Sequence, residues 1–371
     1  MRGSIGLGRI IGIPIQLHAS WFLIALLITW SLAVGYFPQA NPGWSSLTYW
    51  LVSASAALLF FASVLLHELG HSVLALREGV PVKSITLFIF GGVAEIGREP
   101  PTAGAEFRIA IAGPLTSLGL AAIFGGLGAL LADYATVAAP LAYLGWINLL
   151  LAAFNMIPGF PLDGGRVLRA ILWQLNGSLV TSTRWASRAG QAISFGFIGL
   201  GALQFFAGAF TNGLWLAFIG WYLNGAARAS YQQVALQHLL TGVKARSVAM
   251  ETCAPVSGGM NLDLLIQDHV LTGGEHCFFV TDNEDTRGVI TLDDVRTVTR
   301  AQRGSVTTSQ IMTPVDTLVA ADADDDLWDL VRRMGEEGRS ALPVVDNGRF
   351  LGLITRENLL NHVQLRSELA A

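Results

Sequence analysis

Six stretches of this chain are apolar enough to cross a bilayer, at about residues 17–36, 47–76, 105–131, 141–156, 190–210 and 213–229. The fourth is short, which suits a helix that ends at a site, and the second is long enough to carry one. Between the second and third stretches the pattern changes. Residues 82–96 read as strand, with Ile85, Leu87 and Ile89 before Gly91-Gly92 and Val93 and Ile96 after it, and the glycine pair signals a hairpin turn. Strands are tolerated at membrane depth only where protein surrounds them or they line a cavity. A small re-entrant hairpin with an open edge is expected, the plainer alternative being an amphipathic hairpin on the membrane surface. Gly91, Gly92 and Val93 are candidates to pair with an extended substrate segment.

Polar residues inside the apolar stretches are few, which makes each one informative. Residues 10–66 contain no Asp, Glu, Lys or Arg, and then His67-Glu68-Leu69-Gly70-His71 follows. On a helix the two histidines, four apart, share a face and can grip one metal ion. Glu68 lies beside them, where it can deprotonate a water on that metal. Polar side chains at membrane depth are costly and usually functional. A catalytic zinc site needs a third protein ligand and an open position. The candidates are Glu78, Glu95, Glu99, Glu106, Asp133, Asp163 and His18. Asp163 has the best setting, because Pro158 and Pro161 break the fourth stretch and Gly164-Gly165 permits close backbone approach. The competing use for Asp163 is as the N-cap of a helix over 164–175.

Charge divides the 371 residues in two and orients the first part. Hydrophobic residues make up 52% of the chain and charged residues 13%. Residues 1–237 hold 11 Lys+Arg and 7 Asp+Glu, a net of +4, whereas residues 238–371 hold 12 and 20, a net of −8. The division predicts a membrane domain at 1–237 and an acidic domain at 238–371. The arginines and lysines precede the first stretch, lie between the second and third and between the fourth and fifth, and follow the sixth. Since Lys and Arg stay cytoplasmic, six spans with both termini inside fit the whole distribution. The N-terminus lacks a small-residue cleavage site of the signal-peptide kind. No basic tract points to nucleic acid. Cys253 and Cys277 both fall in the acidic part, where isolated cysteines read as free thiols of a reducing compartment.

The combination of His67-Glu68-Leu69-Gly70-His71 with Asn155, Pro158 and Pro161-Leu162-Asp163-Gly164-Gly165 resembles the site-2 protease family of intramembrane metalloproteases. Gly91-Gly92 and Ala112-Gly113-Pro114 extend the likeness, which covers roughly residues 8–228. The resemblance implies zinc, one per chain, on His67, His71 and Asp163, with Glu68 as general base. It also implies that Asn155 steadies the reaction intermediate; the plainer use of Asn155 is a hydrogen bond within the helix bundle. No PDZ-like insertion separates the spans, so the chain resembles the six-span branch with a cytoplasmic CBS pair.

Two strand–helix units repeat in the acidic part. Residues 287–295 align with residues 350–359, and Ile311-Met312-Thr313-Pro314 and Leu342-Pro343-Val344-Val345-Asp346 belong to the second unit. These resemble CBS motifs, which pair into one α+β domain and often bind adenine nucleotides. The ribose-holding Thr-x-x-Asp signature is present as Thr291…Asp294, but the second copy reads Thr355…Asn358. Either a nucleotide or a homodimer contact would explain the pair. The acidic run at 322–326 reads as a solvated helix start.

The expected architecture is an α-helical polytopic membrane domain followed by a CBS-pair domain, in a multi-pass protein of a prokaryotic cell membrane. The expected activity is an intramembrane zinc endopeptidase that cuts a transmembrane segment of a substrate protein. Two other classes compete. A metal transporter would use the same His pair but needs a polar route across the bilayer, and the outer halves of the spans carry almost no ionisable residues. An inactive scaffold has no use for Glu68.

Overall fold

The computed structural model describes residues 4–249, 253–275, 277–282, 285–314, 320–337, 341–346, 349–355, 358–359 and 362–363. It forms two compact units, Met1–Gln233 and Val234–Ala371.

The first unit opens with strands β1 (Ser4–Ile10) and β2 (Ile13–His18), followed by helix α1 (Ala19–Ser31), whose helical run continues to Ala40. Helix α2 (Ser46–Arg77), strands β3 (Val82–Phe88) and β4 (Gly91–Ile96), and helix α3 (Ala103–Leu130) come next. Helices α4 (Ala135–Asn155), α5 (Asp163–Asn176), α6 (Leu179–Phe206) and α7 (Phe210–Leu240) complete the membrane part. Side-chain caps fix several starts. Ser45 Oγ accepts from Thr48 N at the head of α2, Thr102 Oγ1 accepts from Ala105 N at α3, and Ser178 Oγ accepts from Thr181 N at α6. Gly177, left-handed at φ +71°, ends α5.

Among the described residues, five helices are long and apolar enough to cross a membrane: Ala19–Ala40, Ser46–Arg77, Ala103–Leu130, Ala135–Asn155 and Leu179–Phe206. The sixth expected stretch, 213–229, lies inside α7 and falls short by composition, because Asn224 interrupts it and its Trp and Tyr are amphipathic. Helix α1 has no buried residue over Ala19–Ser31, while Leu23, Leu26 and Trp30 are exposed. Such an inverted pattern suits a lipid-facing helix.

The strands form one sheet in the order β1-β2-β3-β4. Strand β2 runs parallel to β3, with Ile15 opposite Ile85 and Leu17 opposite Leu87. The alternate residues Ile13, Ile15 and Ile85 are buried against Leu69 of α2, and Leu17 and Leu87 against Val64. The sheet therefore lies directly on the helix that carries the His pair. The expected two-stranded hairpin is half of this sheet. Its turn is also different, since Phe88 pairs with Gly91 and the two loop residues are Ile89 and Phe90. The glycine pair begins β4 instead of turning. Strand β4 is an edge of the sheet and β3 is not.

In the second unit one pattern occurs twice. Strand β5 (Ala254–Ser257) is parallel to β6 (Cys277–Asp282), which is antiparallel to β7 (Asp285–Thr291), with short helix α8 (Leu292–Thr297) after it. Strand β8 (Thr313–Pro314) adds to β7. Then β9 (Ala321–Asp322), beyond which lies α9 (Leu327–Glu337), is parallel to β10 (Ala341–Asp346), and β10 is antiparallel to β11 (Arg349–Thr355). Each copy has its own core, Val256, Leu262, Leu265, Phe278 and Ile290 in one and Leu327, Leu330, Leu342, Val344 and Ile354 in the other. The cysteines are not free. Cys253 and Cys277 are disulfide-bonded, because Ala254 and Phe278 are partners on the parallel strands and the residue before each falls alongside, with Cα atoms 4.8 Å apart.

Candidate metal centre

His67 and His71 are one turn apart on α2, both 4% exposed, and their Nε2 atoms are 3.3 Å from each other. Asp163, the first residue of α5, brings Oδ2 to 3.1 Å from each Nε2. These three groups are the ones among the described residues arranged to hold a metal. The alternative use of Asp163 as a helix cap does not occur, since the cap position is Leu162 and has no side-chain bond. Close backbone packing delivers the aspartate. A Cβ on Gly164 would stand 2.4 Å from the Ile157 carbonyl, and one on Gly165 2.3 Å from Phe160 N. Only glycines let α5 start against the loop after α4.

The other nitrogens of the two rings are fixed from α3. His71 Nδ1 lies 2.7 Å from the Ile109 carbonyl, so it must donate, and in neutral imidazole this leaves Nε2 a bare lone pair. His67 Nδ1 lies 2.9 Å from Ser117 Oγ, which is fully buried. Three electron-rich atoms then converge within 3.3 Å. They repel unless a cation, proton or metal, sits among them. Tetrahedral zinc with ligands at about 2.0–2.1 Å sets them about 3.3–3.4 Å apart. The observed separations of 3.1, 3.1 and 3.3 Å are close to that spacing. The donor set fits the ion.

Glu68 is half-buried, and Gly92 of β4 packs on it so closely that a Cβ there would lie 2.6 Å from Glu68 Cγ. The edge strand is thus brought against the glutamate. Val93, next in β4, is 43% exposed. Asn155 ends α4 and donates Nδ2 to the Leu151 carbonyl of its own helix at 3.0 Å; it is not among the groups that converge.

The remaining ligand candidates are placed elsewhere. Glu78 takes a two-pronged hydrogen bond from Arg108 at 2.7 and 2.9 Å, and Glu95 pairs with Lys83 at 3.6 Å. Arg169, 4% exposed, donates Nε to Glu106 at 2.6 Å and its terminal nitrogen to Glu99 at 3.0 Å. Asp133 is exposed in the α3–α4 turn. His18 caps α1, its Nδ1 accepting from Ser20 N at 3.2 Å. In the second unit Thr291 and Asp294 meet, but as a capping box. Asp294 Oδ2 accepts from Thr291 N and Oγ1, both at 2.8 Å. Thr355 and Asn358 repeat the cap, with Asn358 N donating to Thr355 Oγ1 at 3.2 Å.

Residues 55–136 and 131–197 match the profile of Peptidase family M50, and residues 309–365 match that of the CBS domain. "Putative zinc metalloprotease Rip3" of Mycobacterium tuberculosis is 39% identical over 360 residues, spanning 96% of this chain and 91% of the relative. The chain belongs to peptidase family M50, the site-2 proteases. "Putative zinc metalloprotease sll0528" of Synechocystis is 33% identical to this peptidase, over 98% of this chain and 96% of the relative. Of solved structures, the "Site-2 Protease from Methanocaldococcus jannaschii" is 29% identical and spans 62% of this chain and 95% of that one, with a TM-score of 0.41. The CBS match lies on the second of the two repeated units.

Proposed function

We propose that this M50 zinc metalloprotease cuts a transmembrane segment of a membrane-protein substrate, with His67, His71 and Asp163 holding one zinc and Glu68 acting as general base. The near-equilateral triangle of Nε2, Nε2 and Oδ2 carries the reading. Zinc, when bound there, supplies a Lewis acid that polarises a peptide carbonyl and acidifies water. Glu68 takes the proton of the attacking water and returns it to the departing amine nitrogen. Asn155 has a second amide hydrogen beyond the one given to Leu151, and it would donate that to the substrate carbonyl. A helical substrate shields its amides, so the cleaved piece must unwind. The free edge of β4, with Gly91, Gly92 and Val93, would hold that piece extended beside Glu68.

The protein sits in the membrane with both termini on the cytoplasmic side in this reading, the sixth crossing being made by residues 213–229 of α7. The Lys and Arg distribution supports it. The paired cysteines lend it nothing, since disulfides are uncommon in reducing compartments. The CBS pair would bias access to the site, through an adenine nucleotide or through homodimer contacts.

Metal content of detergent-purified protein tests the site. About one zinc per chain, lost in both His67→Ala and Asp163→Ala, is the expected result. Zinc retained without Asp163 would remove it as a ligand, and a metal-free wild type that stays so after reloading would end the reading.

A further inference from the structure

Helix α3 contributes no ligand, yet one of its faces touches everything that does. Glu106, Ile109, Gly113 and Ser117 are spaced three, four and four apart and so form one stripe. Ile109 offers its carbonyl to His71 Nδ1 at 2.7 Å, and Ser117 offers its hydroxyl to His67 Nδ1 at 2.9 Å. Gly113 lies between them, where a Cβ would stand 2.2 Å from His71 Nε2 and 2.7 Å from His67 Nε2. At the cytoplasmic end of the same stripe Glu106, fully buried, anchors Arg169 of α5, the helix that begins with Asp163. A ring that must present Nε2 as a lone pair has to carry its proton on Nδ1, and it needs an acceptor there to hold both tautomer and tilt. For His71 that acceptor is backbone and survives any substitution. For His67 it is one side chain.

We infer that Ser117 is a positioning residue of the metal centre: its hydroxyl accepts the Nδ1 proton of His67 and so aims Nε2 at the ion. The inference rests on the ligand set of the preceding section. It explains a fully buried hydroxyl 50 residues away in sequence from its partner. It also accounts for the α2–α3 approach, which Gly70 permits from the other side, since a Cβ there would meet Thr116 Oγ1 at 2.5 Å.

Competition titration with a zinc chelator, on the full chain in detergent, tests this with no use of activity. Ser117→Ala is expected to bind zinc roughly 10–100-fold more weakly than wild type. Ser117→Thr, which keeps the hydroxyl, should recover to within about threefold of wild type, within the same range of effects. If Ser117→Ala does not fold, Ser117→Cys replaces it, because its sulfur is a poor acceptor on a side chain of similar shape. His67→Ala, titrated in parallel, separates the two claims. Unchanged affinity in His67→Ala would overturn the ligand set itself. Loss in His67→Ala with wild-type affinity in Ser117→Ala would overturn only the role of Ser117. Equal weakening in Ser117→Ala and Ser117→Thr would also overturn it, since packing and not the hydroxyl would then matter.

Discussion

The two units of this peptidase treat polar signature residues in opposite ways. In the C-terminal unit Thr291 and Asp294 are three apart and satisfy each other at the start of α8, and Asn358 N donates to Thr355 Oγ1 across the same spacing. In the membrane unit Asp163 meets His67 and His71 across 96 and 92 residues, and the three atoms that converge are all acceptors once Nδ1 of each ring is engaged. A cap is finished without a ligand; the triangle is not. Residues close in sequence can explain themselves through the backbone, whereas convergence of like partners from separate elements asks for something between them.

The sharpest way to break this contrast is to remove the base and leave the triangle alone. Glu68→Gln is nearly isosteric, and Glu68 is outside the ligand set, so zinc content should match wild type. Cleavage of a reporter membrane substrate should fall by roughly 10²–10⁴-fold. Activity that survives would remove Glu68 as the base, and zinc lost with it would mean that the glutamate also holds the metal.

Gly113→Ala comes next in size and tests whether the α3 face is truly against the rings. The new methyl would occupy space 2.2 Å from His71 Nε2, so zinc binding should be lost or the helices displaced. Gly119→Ala in the same helix meets nothing within 4 Å and is the control. It should leave metal content unchanged and match or exceed wild-type stability by up to about 1 kcal/mol. Equal behaviour of the two would mean that the close approach at Gly113 is absent in the membrane.

The buried ion pair that holds α5 offers a third test. Arg169→Met leaves Glu106, which is fully buried and has Oε2 without a hydrogen-bond partner among the described residues, with the more distant Arg166 at 3.9 Å as its remaining ion-pair partner. Removing one partner of such a pair costs about 3–5 kcal/mol, whereas removing both often costs little. The melting temperature should therefore drop clearly in Arg169→Met and recover in Glu106→Leu/Arg169→Met. A double variant as unstable as the single would show that the helix junction depends on charge and not on packing.

What the sequence reveals follows the same division. The His67–His71 spacing and the proline break before Asp163 are local, so the grouping is readable before any fold is known. Strand β2 is not, because a charge-free run that leads into a span hides the alternation of Ile13, Ile15 and Leu17 with Pro14, Gln16 and His18. Gly91-Gly92 looks like a turn, but the first adopts φ +126° inside β4 and the second makes room for Glu68. The pairing of Cys253 with Cys277 depends on two strands lying side by side, and a separation of 24 residues does not disclose that. Ser117 and Arg169 are equally silent, since each is defined by a partner 50 or more residues away.

The smallest effect bears on the C-terminal side of the contrast. Asp294→Ala removes both bonds that Asp294 Oδ2 accepts from Thr291 at the start of α8, at a cost of about 0.5–2 kcal/mol. It should lower the unfolding midpoint of the C-terminal unit modestly and leave zinc content untouched. Asp294→Asn keeps an acceptor and should lose less. If the residue instead serves a nucleotide, calorimetry with ATP or AMP will register binding that Asp294→Ala abolishes, and the nucleotide will raise the wild-type melting temperature by mass action. Such binding would show that the capping box is a resting arrangement whose carboxylate turns outward to a ribose. Its absence, together with the small stability loss, would leave Thr291 and Asp294 with the local role that their geometry already fulfils.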